Sequence, residues 1–149
     1  MLKEKEVQLK GTFIATLKKA DGTVEVRRKD NMILNSGFDF ICAAIGNSSS
    51  RPAVMSHTAV GTGNTAVSAT QTGLVAELTR RAATYSHTNG TKVFTMTTNF
   101  PAGTATGAIT EAGICNASAD GTFFDRVTFA VINKAADDEL TTNFQFTLS

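Results

Sequence analysis

The chain has 149 residues, of which 42% are hydrophobic and 18% are charged, and its formal net charge is +1. This length predicts one domain that is large enough to bury a substantial core. The nearly neutral charge argues against the positive field that non-specific binding to nucleic acid or to an anionic membrane requires. Threonine is abundant, with 23 residues, whereas there are only 2 histidines, 2 cysteines and 1 tyrosine. Composition therefore favours a structural protein over an enzyme.

The chain begins with residues Met1–Glu6, which alternate in charge and do not lead into an apolar stretch. No later segment approaches the roughly 18 continuous apolar residues of a membrane span. The sequence therefore predicts a soluble chain without a secretion signal. Its two thiols, Cys42 and Cys115, favour a reducing cytoplasm during folding, and we expect both to be small buried hydrophobes without a disulfide between them.

Three Asx-Gly pairs predict β-hairpins, because both residues of such a pair tolerate the positive φ of a type I′ turn. These pairs are Asp21-Gly22, Asn89-Gly90 and Asp120-Gly121. The strands that they join are predicted over residues 11–18 and 23–29, 82–87 and 92–100, and 108–116 and 122–132. Alternating apolar residues between Leu140 and Leu148 predict a closing strand with one buried face.

The same alternation assigns faces within two of the hairpins. One strand has a buried face formed by Phe94, Met96 and Phe100. Another has an apolar face that Asp125 interrupts and that consists of Phe123, Val127, Phe129 and Val131. Threonine suits the opposite, exposed faces because it is β-branched yet polar. Exposed sheet therefore accounts for much of the threonine excess.

Two segments are predicted to be helical. The apolar positions i, i+3, i+4 and i+7 of residues 37–46 form one face and are Phe38, Ile41, Cys42 and Ile45. Ser36 and Gly46 are the expected cap and stop of this helix. A second, shorter helix is predicted over residues 73–81, where the shared face and the charge spacing involve Leu74, Leu78, Glu77 and Arg81.

These elements predict a mostly β fold, an antiparallel β-sandwich of the jelly-roll or immunoglobulin-like type with one or two short helices. Residues 1–149 are expected to form a single domain, in which residues 1–30 make an N-terminal hairpin that flanks the sandwich. The loops 47–52, 61–73 and 101–107 are rich in small and polar residues. Such loops are expected at the surface and are adaptable.

The turn Gly61-Thr62-Gly63-Asn64 invites comparison with phosphate-binding loops, whose backbone N–H groups cradle anions. A P-loop needs a further Gly-Lys-Ser/Thr, and a dinucleotide fingerprint needs a third glycine that opens a helix. Neither follows here, since the next lysine after this turn is Lys92. We therefore expect an ordinary tight turn.

Residues of the types that act in catalysis or bind metals are scattered along the sequence. His57 and His87 lie on separate predicted strands without the neighbouring ligands of a metal site. Cys115 with a distant histidine would make a nucleophile pair, but its surroundings indicate the end of a strand, so a Cys/His hydrolase is the disfavoured alternative. The acidic run Asp137-Asp138-Glu139 is expected to be a solvated turn, with a weak calcium site as the disfavoured alternative. The sequence predicts no catalytic, cofactor-binding or metal-binding residues.

Two charged features favour structural interpretations. Glu111 shares a face with apolar neighbours, so a buried acid there needs a cationic partner, which Arg80 or Arg81 would supply as a structural salt bridge. The basic residues of the first hairpin are interleaved with acids and lack a stacking aromatic. We expect them to form a solvated edge that discourages aggregation, and not a nucleic-acid site. These residues are Lys18, Lys19, Arg27, Arg28 and Lys29.

Short motifs distributed between residues 30 and 149 carry a family resemblance. The most specific runs from Phe100-Pro101-Ala102-Gly103 to Thr106-Gly107-Ala108-Ile109-Thr110-Glu111-Ala112-Gly113-Ile114. Shorter motifs are Asn35–Asp39, Ala59–Gly63, Leu74–Arg80, Arg126–Phe129 and Val131–Lys134. Together they resemble small virion structural proteins of tailed bacteriophages, namely tail-fibre-like, collar and decoration proteins. The motifs contain no catalytic signature.

The resemblance implies a β-sandwich subunit that is added to a particle in many symmetric copies and works by surface complementarity and avidity. We therefore expect a non-enzymatic virion protein of the neck, collar or tail appendage, made in the host cytoplasm, with a capsid decoration protein as the alternative. Its expected partners are other virion proteins and further copies of itself, met through the three loops and the basic hairpin. A carbohydrate-binding module is less favoured, because sugar rings usually stack on Trp or Tyr and the chain offers only Tyr85. No cofactor, specific nucleic acid or membrane is expected as a partner.

Overall fold

Nine strands and one helix account for the regular structure of residues 6–149, the part of the chain that the computed structural model describes. The charged start at residues 1–5 lies outside this part. The helix is α1 (Asn35–Gly46), which has 12 residues. In the described part of the chain no helix has the length and apolar character to cross a membrane. The strands are β1 (Leu9–Lys18), β2 (Val24–Ile33), β3 (His57–Gly61), β4 (Glu77–Ala82), β5 (Thr84–His87), β6 (Val93–Phe100), β7 (Gly107–Cys115), β8 (Asp125–Lys134) and β9 (Glu139–Leu148).

All neighbouring strands pair antiparallel, in the order β4-β3-β7-β8-β2-β1-β9-β6-β5. The two strands at the ends of this order, β4 and β5, are consecutive in the chain and separated only by Ala83. The sheet therefore curls until its two edges meet in one segment. The sheet is thus nearly closed. On the opposite side, β2 and β8 pair only through Met32 with Arg126 and Ile33 with Asp125, so the sheet is narrowest there.

The three predicted hairpins are confirmed as β1–β2, β5–β6 and β7–β8. Only the third turn has a positive φ at both members of its Asx-Gly pair, Asp120 and Gly121; in the other two turns the glycine alone does. The first hairpin does not flank the sheet. Because β1 pairs with β9 from Leu9 to Lys18, this hairpin lies in the middle of the strand order.

The closing strand β9 is also confirmed, and the buried positions of its alternating face are Leu140, Thr142, Phe144 and Phe146. This face belongs to a core in which rings from different parts of the sheet touch. Phe13 on β1 stacks on Phe129 of β8, with ring centroids 4.8 Å apart. Not every threonine is exposed, however: Thr98 on β6 donates from Oγ1 to Oγ1 of Thr58 on β3 at 2.8 Å, in the buried interior.

The sequence predictions for β4 and for the second half of β8 are wrong. The segment predicted as a helix over residues 73–81 contains β4 instead, because these residues pair with β3 along its whole length, and this pairing overrides their helical spacing. The apolar face of β8 does not continue to Val131, which is 41% exposed. An irregularity in the pairing with β7 shifts the register, so Ile132 is buried in its place.

Candidate functional site

A groove of about 530 Å³ lies between α1, the segment 51–55 and the strands β5 and β6, and we call it the α1 groove. Among the described residues its lining is almost wholly apolar, and Arg51 is the one charged residue of residues 6–149 in it. Pre-formed concave apolar surfaces are typical of places where proteins bind something. The aromatic residues that line it are Phe40, Tyr85, Phe94, Phe124 and Phe146.

Packed rings make the floor of the α1 groove rigid. Phe146 stacks on Phe94 with centroids 4.8 Å apart and meets Phe124 edge to face at 5.2 Å. Phe40 of α1 meets Phe124 at 6.2 Å, also edge to face. Each such pair adds about 0.5–1.5 kcal/mol beyond the burial of its area. The groove is therefore part of the folded core and not a gap between loosely packed segments.

Helix α1 begins at Asn35, two residues before the predicted start. Of its predicted packed face, Ile41 packs against the core as expected, whereas the other three residues are exposed. Gly37 is buried, and Phe40 and Ile41 pack against the core. The sequence predicted a packed face containing Phe38, Cys42 and Ile45, but Phe38 is 48% exposed, Ile45 is 82% exposed and Cys42 is exposed. We call these three residues the α1 face.

Contacts at the N-terminus of α1 explain this orientation. The N-cap is Leu34 and not Ser36, whose hydroxyl donates instead to the carbonyl of Phe123 at 2.6 Å. Leu34 itself donates its N–H to the carbonyl of Phe124 at 3.0 Å. Gly37 lies so close to that carbonyl that a Cβ would collide with it. These contacts fix the rotation of the helix about its axis, so the α1 face points away from the core.

Helix α1 carries the α1 face and also contributes Phe40, Ile41 and Ala44 to the lining of the α1 groove. Val54, which lines the groove, is 73% exposed, and Tyr85 on its other wall is 60% exposed. Exposed apolar patches of this kind mark interaction sites on soluble proteins.

The prediction that both cysteines are buried is wrong for Cys42, which is exposed, while Cys115 is buried as expected.

A second feature of the structure is a fully buried ion pair between β7 and β8. Glu111 and Arg126 are both inaccessible to solvent, and Nη2 of Arg126 lies 2.8 Å from Oε2 of Glu111. The predicted structural salt bridge of Glu111 therefore exists, but its partner is Arg126 and not Arg80 or Arg81. The sequence did not reveal this partner, because Arg126 follows Asp125 in a strand whose alternation predicted that position to be exposed.

The same carboxylate holds the segment 61–76 in place. Backbone N–H groups of Gly63, Val75 and Ala76 donate to Glu111 at 3.0, 2.9 and 2.7 Å. A Cβ on Gly63 would lie 2.6 Å from Oε1 of this carboxylate, so the close approach requires glycine. The glycine-rich turn thus binds an anion, but the anion is a side chain of the protein. The loop 61–73 is accordingly anchored at these points, in contrast to the adaptable loop that we predicted.

Arg80 takes part in a different contact at the surface of β4. Its guanidinium forms two hydrogen bonds with Glu77, at 2.9 and 2.7 Å, and donates to the carbonyls of Ala117 and Asp120. It also lies 5.3 Å from the centroid of the Phe123 ring. The predicted pairing of Glu77 with Arg81 on a helix is therefore replaced by a pairing with Arg80 on a strand.

Asp125 is a buried acid without a cationic partner in the described part of the chain. One of its oxygens accepts the N–H of Ile114 at 2.8 Å, and the other accepts from the side-chain amide of Asn31. Burial raises the pKa of Asp125 to about 7, although the two hydrogen bonds act in the opposite direction. The arrangement joins β2, β7 and β8 where the sheet is narrowest.

The remaining polar candidates are used in structure. Asp138 is buried, in contrast to the solvated turn predicted for residues 137–139, and accepts the N–H groups of Ala135 at 2.9 Å and Ala20 at 3.2 Å. The buried Lys134 donates to the carbonyl of Pro101, and burial lowers the pKa of Lys134. Residues 6–149 contain no group of three or more His, Cys, Asp or Glu side chains placed to hold a metal ion.

The histidines and Cys115 have contacts with neighbouring polar groups. Nδ1 of His57 lies 2.8 Å from the hydroxyl of Ser56, and Nδ1 of His87 lies 2.7 Å from the carbonyl of Val93. Cys115 lies opposite His57 in the pairing of β7 with β3, and its Sγ is 3.8 Å from the backbone carbonyl oxygen of His57. Burial raises the pKa of the Cys115 thiol, which disfavours the thiolate that a nucleophile requires.

The basic hairpin is not an edge of the sheet, because β2 lies between β1 and β8. Glu25 is 3.1 Å from Lys19 and 3.7 Å from Arg27. Arg27 also donates to the carbonyls of Ala130 and Val131 on β8, at 3.3 and 3.1 Å. Its guanidinium thus bridges the gap where the backbones of β2 and β8 have separated.

The α1 face is the feature that sequence reasoning missed, although a signal for it was present. In the sequence of α1, the charged and amide side chains are only Asp39 and Asn35, so apolar residues extend well beyond one face. A helix that is apolar on most sides is normally buried on most sides.

No protein-family model matches this chain, and neither a curated protein nor a solved structure similar to it was found.

Proposed function

We propose that this chain is a non-enzymatic structural component of a tailed-bacteriophage virion, assembled in several copies in the neck, collar or a tail appendage. The observation that carries the proposal is the exposed apolar surface of the α1 face, together with the exposed apolar rim of the α1 groove. A subunit whose neighbours in a particle cover this surface would avoid the aggregation that such a patch otherwise promotes. The same surface would supply the many modest contacts on which a symmetric assembly depends.

The sequence resemblance to phage virion proteins supports the proposal through the place of its motifs in the fold. Gly63, Glu111 and Arg126 come from three separate stretches that carry the resemblance, and they meet at the buried ion pair. These stretches therefore encode one structural unit that joins β3, β7 and β8. Similarity in such a unit concerns the architecture of a subunit, in keeping with a structural role.

The proposal extends to the type of sheet packing. We propose that the two halves of the sheet form a sandwich of the jelly-roll or immunoglobulin-like type. The contact between Thr58 on β3 and Thr98 on β6 supports this, because these strands are not hydrogen-bonded neighbours in the sheet. Facing sheets of a sandwich bring such strands together across the core.

Mass spectrometry of purified particles tests the proposed function. Virions of a phage that encodes the chain are banded on a density gradient, and the chain is quantified against the major capsid protein. A replication protein of the same phage serves as the non-structural control. We expect a fixed ratio of the chain to the capsid protein and loss of the control. Removal of the chain together with the control would refute the proposal.

Electron microscopy then distinguishes the neck or tail from the alternative of a capsid decoration protein. An epitope inserted between Asn89 and Gly90 lies in an exposed turn, where insertions are tolerated best. Gold-labelled antibody on the neck or tail is the expected result. Label distributed over the head would instead favour a decoration protein.

A further inference from the structure

Helix α1 carries more apolar surface than this domain buries. Successive residues of an α-helix are about 100° apart, so the apolar arc from Phe40 through Ile41 and Phe38 to Cys42 covers about 200°. A helix at the surface of a globular protein usually has an apolar stripe little wider than about 100°. Phe40 and Ile41 use this width against the core, whereas Phe38 is 48% exposed, Ile45 is 82% exposed and Cys42 is exposed. The α1 face is therefore surplus to the fold of one copy.

We propose that a second copy of this chain covers the α1 face, in a two-fold symmetric contact in which the two α1 helices lie side by side and antiparallel. This inference deepens the proposed function and rests on it for the expectation that copies of the chain meet in a particle. In a two-fold contact each copy presents the same patch, so the patch must be complementary to itself. The pattern of the α1 face meets that requirement.

The spacing along α1 sets the register of the contact. Phe38 and Ile45 are seven residues apart, and Cys42 lies within one residue of their midpoint. Antiparallel pairing therefore places Phe38 of each copy against Ile45 of the other copy. It also brings the two Cys42 thiols together close to the two-fold axis. Helices that pack with axes about 8–10 Å apart leave their facing side chains within reach of each other.

Charges at the two ends of α1 favour the antiparallel arrangement. Asp39, in the first half of the helix, is its one charged residue, and the exposed Arg51 follows five residues after its end. Neither forms an ion pair within the described part of the chain. Antiparallel pairing brings Asp39 of each copy towards the end from which Arg51 of the other copy follows, and it aligns the helix dipoles favourably. Parallel pairing would place like charges together.

The size of the patch predicts a weak dimer. A helix of 12 residues is about 18 Å long. A pair of such helices alone buries less than the roughly 800 Å² per partner that stable complexes bury. A contact through α1 alone is therefore smaller than that of a stable complex. We expect association that is slight in dilute solution and substantial where copies are held close together in a particle.

Cross-linking of the full chain through Cys42 tests the inference. A short bismaleimide joins two exposed thiols only when they lie close together, and the buried Cys115 does not compete in the folded protein. We expect a covalent dimer linked through Cys42, and a sedimentation coefficient that rises with protein concentration. Ile45→Asp should lower the cross-linked fraction about tenfold or more, because a charge would be buried in the contact. Ile45 is 82% exposed, so this variant should fold, which circular dichroism verifies.

Val26→Asp is the matched control, since Val26 is 56% exposed on β2, away from α1. It should leave the cross-linked fraction unchanged. A monomer that does not cross-link at any concentration would overturn the inference, as would a dimer that Ile45→Asp and Val26→Asp affect equally.

The same reagent applied to intact virions separates this inference from the proposed function. A Cys42–Cys42 link between two copies in the particle supports both. If the chain is present in the particle but Cys42 is linked to another protein or to nothing, the inference fails and the proposed function stands. If the chain is absent from the particle but still forms the Cys42-linked dimer, the proposed function fails and the contact between copies stands.

Discussion

Replacement of Arg126 by methionine tests whether the buried ion pair holds β7, β8 and the segment 61–76 together. Arg126 is fully buried, and its Nε donates to Oε2 of Glu111 at 2.9 Å. Methionine retains an apolar side chain of comparable length but leaves the Glu111 carboxylate without its counter-charge. Breaking a buried ion pair from one side costs about 3–5 kcal/mol. Because three backbone N–H groups still bind the carboxylate, we expect the lower end, a loss of about 3 kcal/mol.

Urea unfolding at neutral pH, followed by circular dichroism, measures this loss. Lys19→Met is the matched control, because it removes an ion pair with Glu25 whose side chains are 40% and 37% exposed. Such surface pairs contribute about 0–1 kcal/mol. A loss below about 1 kcal/mol for Arg126→Met, or one equal to that of the control, would refute the reasoning. The double variant Glu111→Leu, Arg126→Met should not regain stability, because it leaves the three N–H groups of the segment unpaired.

Three further predictions concern single residues. The pKa of Asp125 is raised from 3.8 to about 7, so its protonated form stabilises the fold. This contribution, up to about 4 kcal/mol, is lost as the pH rises from about 4 to 7. The free energy of unfolding of Asp125→Asn, measured in urea, should not show this loss, and an equal pH dependence in both proteins would contradict the prediction. Gly63→Ala should lower the free energy of unfolding by about 1–3 kcal/mol, because its Cβ would collide with the Glu111 carboxylate. Gly46→Ala is the control, since a Cβ there meets open space and should not lower the free energy of unfolding. Equal melting temperatures of the two variants would rule out the steric argument. Ellman's reagent should modify Cys42 at once and Cys115 only on unfolding, and rapid modification of two thiols in the native protein would disprove the difference in burial.

Local patterns predicted most of the strands. The Asx-Gly pairs located the three hairpins, and the alternation of β9 located its buried face, because side chains alternate between the two faces of any strand. The need of Glu111 for a cationic partner also followed from burial of a charge alone. These features depend on residues that are close in sequence or on the general energetics of a residue type, and both can be evaluated without knowing the fold.

Features that depend on distant contacts were not predicted. The residues of β4 have helical spacing but pair with β3, because the hydrogen bonds and packing of a neighbouring strand exceed a weak helical preference. The partner of Glu111 is Arg126, whose burial depends on how β8 enters the sheet beside β2. The rotation of α1 depends on the carbonyls of Phe123 and Phe124, which are more than 80 residues away in the chain.

The candidate site shows the same division. The sequence by itself determined that α1 is a short apolar helix and that strands with alternating apolar and polar residues precede and follow it in the chain. Both features follow from the periodicity of side chains along a regular backbone. Only the tertiary structure decided which side of α1 is buried, because the carbonyls that fix its N-terminus belong to Phe123 and Phe124, the two residues before β8. That choice leaves Phe38, Cys42 and Ile45 exposed, and it turns a predicted core face into the surface on which the proposals for assembly depend.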